Sequence, residues 1–134
     1  MLSMLLTAVI SIVPAGPAEK QDYDEAYRKA QLNGVPLMVI VSSDACPACQ
    51  TLKANTIAEM KSSGDLEDVS LVVVNKDRDP ELASRLMRGR MIPQIIVYSK
   101  GGAGWKRLQL TGYQTRDGVR TLIRKAVNLT RIGT

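Results

Sequence analysis

The hydrophobic pattern changes period several times along the 134-residue chain, and each change marks an element. Over residues 19–33 the less polar positions recur at helical spacing. Tyr23, Ala26, Tyr27, Ala30 and Gln31 share one face, and Asn33-Gly34 supplies the stop. Residues 36–42, PLMVIVS, are a continuous apolar run of strand length, which predicts a strand buried on both faces at the centre of an α/β sheet. A helix then runs from Pro47 to about Lys61, with Leu52, Thr56, Ile57 and Met60 inward, and Ser63-Gly64-Asp65 breaks it. Proline is tolerated at its start because the amide it lacks has no partner in the first turn of a helix.

Residues 69–75, VSLVVVN, form a second apolar strand. Asp79 caps a short helix over residues 81–88 that Gly89 stops. Met91-Ile92-Pro93-Gln94 leads into the strand IIVYS, and the glycine-rich stretch 100–104 joins it to WKRLQLTGY as an antiparallel hairpin. The last helix spans residues 115–130, with Val119, Leu122, Ile123, Ala126, Val127 and Leu129 inward. The order helix, strand, helix, strand, helix, strand, strand, helix predicts a single α/β domain, and the length agrees with one core.

Residues 1–18 stand apart. They carry no charge, and their apolar run ends at Pro14, Gly16 and Pro17, too short for the roughly 20 residues a bilayer span needs. The run has the length of a signal-peptide core and small residues follow it, although no Lys or Arg precedes it. A cleaved export signal is the favoured reading, with a periplasmic or extracytoplasmic location. An uncleaved anchor touching a membrane through residues 1–13, or a plain N-terminal segment of a cytoplasmic protein, are the alternatives. Residues 19–134 form the domain.

Charge changes the picture little. The net charge is +5, and Lys106, Arg107, Arg116, Arg120, Arg124, Lys125 and Arg131 outnumber Asp117 near the C-terminus. Elsewhere bases alternate with acids, and a chain with few aromatics and no Phe lacks the stacking platform of a single-strand binder. A solvated helix face explains the bias, and nucleic acid is not an expected partner.

The candidate chemistry lies in residues 42–53, SSDACPACQTLK, which contain the only cysteines, Cys46 and Cys49. A zinc site needs four ligands, and two cysteines, Asp44 and no His leave it incomplete. A purely structural disulfide closing so small a loop restricts the unfolded chain only modestly. Redox exchange is the remaining and favoured reading.

In three features the chain resembles the thioredoxin superfamily. A buried strand delivers Cys46-Pro47-Ala48-Cys49 to a helix N-terminus, Ile92-Pro93 opens a strand about 45 residues later, and a strand-strand-helix unit containing Gly112 closes the fold. The resemblance covers roughly residues 22–129 and implies a thioredoxin fold, a central mixed β-sheet flanked by helices. It implies that the Ile92–Pro93 bond is cis and that Ile92 and Pro93 contact the substrate. It departs from thioredoxin proper at three places: Ile40 stands where a buried acid is usual, about Val73 where its lysine partner is, and Ala45 where an aromatic precedes the motif.

A helix N-terminus favours a thiolate, and i,i+3 spacing places a second sulfur within reach of a mixed disulfide. Cys46 is therefore the expected nucleophile and Cys49 the resolving thiol, with Pro47 and Ala48 shaping the turn between them. The expected function is thiol-disulfide exchange with protein cysteines, most simply as a monomeric reductase, with no bound cofactor and with a redox partner that resets it. A binding module without turnover and a disulfide oxidant or isomerase are the alternatives.

Overall fold

The computed structural model describes residues 18–132. The signal or anchor segment expected over residues 1–18 lies outside them, apart from Ala18, which opens the first helix. The elements are α1 (Ala18–Asn33), β1 (Leu37–Ser42), α2 (Pro47–Thr51), a π-helical stretch (Leu52–Ile57), α3 (Ala58–Ser63), β2 (Ser70–Asn75), α4 (Pro80–Leu86), β3 (Gln94–Gly101), β4 (Gly104–Thr111) and α5 (Arg116–Ile132). The strands form one mixed sheet in the order β2-β1-β3-β4, with β1 parallel to β2 and antiparallel to β3, and β3 antiparallel to β4. Among the described residues no helix is long and apolar enough to cross a membrane.

All six residues of β1 are buried, as its unbroken apolar run requires of a central strand. Successive side chains alternate between the two faces of the sheet. Met38 and Ile40 pack with Leu52, Met60, Val119 and Ile123, so the π-helical stretch, α3 and α5 cover one face. Leu37, Val39 and Val41 pack with Ala26, Ala30, Ala83 and Leu86, so α1 and α4 cover the other. Burying one such aliphatic side chain contributes about 1.5–3 kcal/mol, and these two clusters are the core.

The structure corrects the sequence expectations in four places. Of the expected α1 face, Ala26 and Ala30 are buried and Tyr23 half-buried; Tyr27 and Gln31 are exposed, with Gln31 donating to the Tyr27 hydroxyl at 2.7 Å. The helix after the cysteines widens into a π-helical stretch at Leu52–Ile57, and the extra residue in the turn lets the neighbours Thr56 and Ile57 both face inward. Helix α4 ends at Leu86 rather than residue 88, with Met87 extended. There Arg107 of β4 donates to the Leu86 carbonyl at 2.6 Å, satisfying a helix-end acceptor from the neighbouring strand. Finally, β3 and β4 extend until Gly101 pairs with Gly104, leaving only Gly102 and Ala103 in the turn.

Candidate active site

Four strand ends meet at one end of the sheet. The C-terminal end of β1 feeds the cysteine loop, and the antiparallel register that pairs Val41 with Gln94 puts Pro93 across from Ser42. On the far side of β3, Gln94 pairs with Thr111, and the Gly112 amide donates to the Pro93 carbonyl at 2.8 Å. Gly112 has φ +86°, a left-handed conformation that side-chain-bearing residues rarely adopt, so glycine allows this bond. On the other side, β2 ends at Asn75 beside Ser42. The topology thus brings the cysteine loop, Ile92-Pro93 and Gly112 together although long stretches of chain separate them.

Cys46 and Cys49 are joined as a disulfide with Cα atoms 5.2 Å apart. Cys46 occupies the N-cap position of α2 with extended backbone, and its sulfur accepts the Cys49 amide at 3.1 Å. Pro47 sits at the first helical position, where no amide is needed. The two sulfurs differ in access: Cys46 is half-buried, whereas Cys49 is 0% exposed. Pro47 and Ala48 between them are exposed. The Ile92–Pro93 peptide bond is cis, Pro93 is buried and Ile92 half-buried, while Met91 beside them is 70% exposed.

Side chains from other strands hold the surrounding loops. The Asp44 amide donates to Asp77 Oδ2 at 3.0 Å, Asn75 Nδ2 donates to Asp44 Oδ1 at 2.9 Å, and the Asp77 amide donates to Asn75 Oδ1 at 2.9 Å. This ties the cysteine loop to the β2–α4 loop. The Asp44 amide, followed by the Ser43 hydroxyl, holds the Asp77 carboxyl below the usual carboxylate range. Gln94, fully buried, accepts from the Arg88 amide at 3.1 Å and donates to the carbonyls of Arg88 at 2.8 Å and Met91 at 3.0 Å. It fixes the loop that leads to Pro93. The sequence reading passed over Asn75, Asp77 and Gln94; the position of Asn75 and Gln94 at the ends of apolar strands was the one signal available.

At the departures from thioredoxin proper the structure is apolar. Ile40 is fully buried and its register partner is Val73, so no carboxylate lies beneath the disulfide on that pair of strands. Ala45 is exposed. Among the described residues no group of three or more His, Cys, Asp or Glu is placed to hold a metal ion.

The sequence model of the thioredoxin-like domain matches residues 23–126, which takes in the disulfide, Pro93, Gly112 and the core strands. The chain belongs to the thioredoxin-like family. Among solved structures, a thioredoxin from Thermus thermophilus superposes with a TM-score of 0.65 at 27% identity, covering 77% of this chain and 82% of that one. A Trichomonas vaginalis thioredoxin matches at TM-score 0.60 and 20% identity over 77% and 89% of the two chains. One from Fasciola hepatica matches at 0.59 and 17% over 77% and 92%. At the last two identities the likeness shows the fold alone. No curated protein matches the chain. Thioredoxin-like proteins work through their own dithiol-disulfide pair and require no cofactor, and Cys46-Cys49 is the CxxC disulfide of this chain.

Proposed function

We propose that the protein is a thiol-disulfide oxidoreductase that reduces disulfides of other proteins. In the dithiol state the Cys46 thiolate attacks one sulfur of the substrate disulfide and releases the other as a thiolate, forming a mixed disulfide. Cys49, having lost its proton to solvent, then attacks the Cys46 sulfur and expels the second substrate thiolate. The substrate gains two electrons and Cys46-Cys49 closes to the disulfide. The observation that carries the reading is the asymmetry of the pair, in which Cys46 is reachable and accepts a helix-end amide while Cys49 is sealed inside. Ile92 and Pro93, with exposed Met91 beside them, are the substrate-facing backbone in this reading. A redox partner of another kind resets the disulfide, the protein acts as a monomer, and residues 1–18 direct it outside the cytoplasm.

Replacing Cys46 tests the reaction. Cys46→Ser abolishes insulin reduction, whereas Cys49→Ser accumulates mixed disulfides with the substrate. Turnover by Cys46→Ser would contradict the assignment, and partner binding that survives it without any exchange by the parent protein would favour a binding module. The apolar pair Ile40 and Val73 predicts slow turnover, because no buried carboxylate is at hand to move the Cys49 proton. Ile40→Asp raises the insulin-reduction rate at a cost of about 3–5 kcal/mol in stability for an unpaired buried charge. An unchanged rate in a folded variant would dismiss that explanation.

A further inference from the structure

Ser42, the last residue of β1, is 0% exposed, and its Oγ has no hydrogen-bonding partner among the described residues. The only other buried side-chain atom in that condition there is Arg107 Nε, and its guanidinium is held through both terminal nitrogens. Leaving a hydroxyl buried and unpaired costs about 1–3 kcal/mol. The other buried serines all have a use: Ser70 donates to the Ala26 carbonyl, Ser99 to the Ala126 carbonyl, and Ser43 Oγ accepts the Ala45 amide.

The position of Ser42 suggests what its hydroxyl serves. Ile40, two residues earlier, faces the cluster that contains Leu52, so by the two-residue alternation of a strand Ser42 faces the same way, toward the cysteine helix. Cys49 lies one helical turn before Leu52 and is equally buried. Ser42 is thus one step beyond Ile40, and Cys49 one step beyond Leu52, both toward the edge of the sheet that carries the disulfide. Asn75 and Pro93 flank Ser42 on the neighbouring strands, so the hydroxyl lies under the middle of the site.

We infer that the Ser42 hydroxyl donates a hydrogen bond to the Cys49 sulfur in the reduced protein and is left unpaired in the oxidised one. This rests on the exchange reading and names the group that accommodates the resolving cysteine where Ile40 supplies no carboxylate. Reduction takes two electrons and two protons from a dithiol such as dithiothreitol, which closes to its own disulfide. It also breaks the S–S bond, so Cys49 becomes a separate buried thiol. Cys49 is the fully buried member of the pair, so its freed sulfur is the one on the side of Ser42. A bond present only in the reduced state favours that state and makes the protein easier to reduce.

Ser42→Ala tests this, since it removes one oxygen and nothing else. Equilibration of parent and variant against a dithiothreitol series should show the variant's disulfide about two- to tenfold harder to reduce, the range of one neutral hydrogen bond, with tenfold equal to about 30 mV. Thermal unfolding should show the reduced variant less stable than the reduced parent, and the oxidised variant as stable as the oxidised parent or more so. Identical redox transitions would overturn the role of Ser42, as would an equal loss in both forms or an oxidised variant that does not fold. If neither protein shows a transition, exchange itself is refuted rather than the role of Ser42.

Discussion

The two ends of the sheet use buried polar side chains differently. At the end away from the disulfide, Ser70 at the start of β2 and Ser99 near the end of β3 each bind a helix carbonyl, of Ala26 and Ala126, and so fasten a helix to the sheet. At the disulfide end, Asn75 and Gln94 bind loops, one holding Asp44 ahead of Cys46 and the other holding residues 88 and 91 ahead of Pro93. Apolar packing places helices well enough that one or two bonds per contact suffice. Loops have no such packing, so their shape depends on side chains with several donors and acceptors in fixed positions. The contrast explains why a site made of loops can be held in one geometry on a small domain.

Substitutions at the two ends should therefore fail in different ways. Gln94→Ala removes three hydrogen bonds that hold Arg88 and Met91, so it should cost about 2–4 kcal/mol in urea unfolding. It should also raise KM for a protein substrate more than it lowers kcat, because the loop beside Pro93 loosens. If KM is unmoved, that loop is not part of the substrate surface. Ser99→Ala at the opposite end should cost about 1 kcal/mol and leave exchange kinetics unchanged. A kinetic defect there would erase the distinction between the ends.

The smallest effect belongs to Asp65, which accepts from Arg116 Nε at 2.7 Å and so joins the loop after α3 to α5. The Arg116 guanidinium holds the Asp65 carboxyl below its ordinary value near 3.8. The folded state therefore binds this proton less readily than the unfolded chain. The ion pair adds stability above the ordinary carboxylate pKa, and the contribution fades as pH falls through the lowered one. Asp65→Asn should reduce stability slightly at pH 7, with the difference from the parent fading as acid protonates the carboxyl. A difference that persists in acid would mean that the bond acts through shape and not charge.

Much of this was legible in the chain because it rests on local pattern. The unbroken run at Leu37–Ser42, the Cys-Pro-Ala-Cys turn after it and the inward stripe of α5 are each fixed by neighbours in sequence. The rest depends on partners far away along the chain. Gln94 reads as the polar start of a strand until β1 and β4 bury it beneath residues 88–91. Asn75 reads as the polar end of a strand and Asp77 as a loop residue until the parallel pairing of β1 with β2 sets them beside Asp44. Tyr27 matched the helical stripe, yet of that stripe α1 buries only Ala26 and Ala30, and the ring instead lies 5.9 Å from exposed Trp105 at a 30° tilt. The end of α4 was misjudged for the same reason, since an arginine from β4 decides it.

The central claim is that Cys46 and Cys49 cycle as a reducing pair. The most direct measurement is the fraction of dithiol at equilibrium across a dithiothreitol or glutathione series, with Cys46→Ser as the blank. The account predicts a two-electron transition near −270 mV, the value of a thioredoxin reductant. A transition near −120 mV, the range of a strong disulfide donor, or no transition at all, would contradict it.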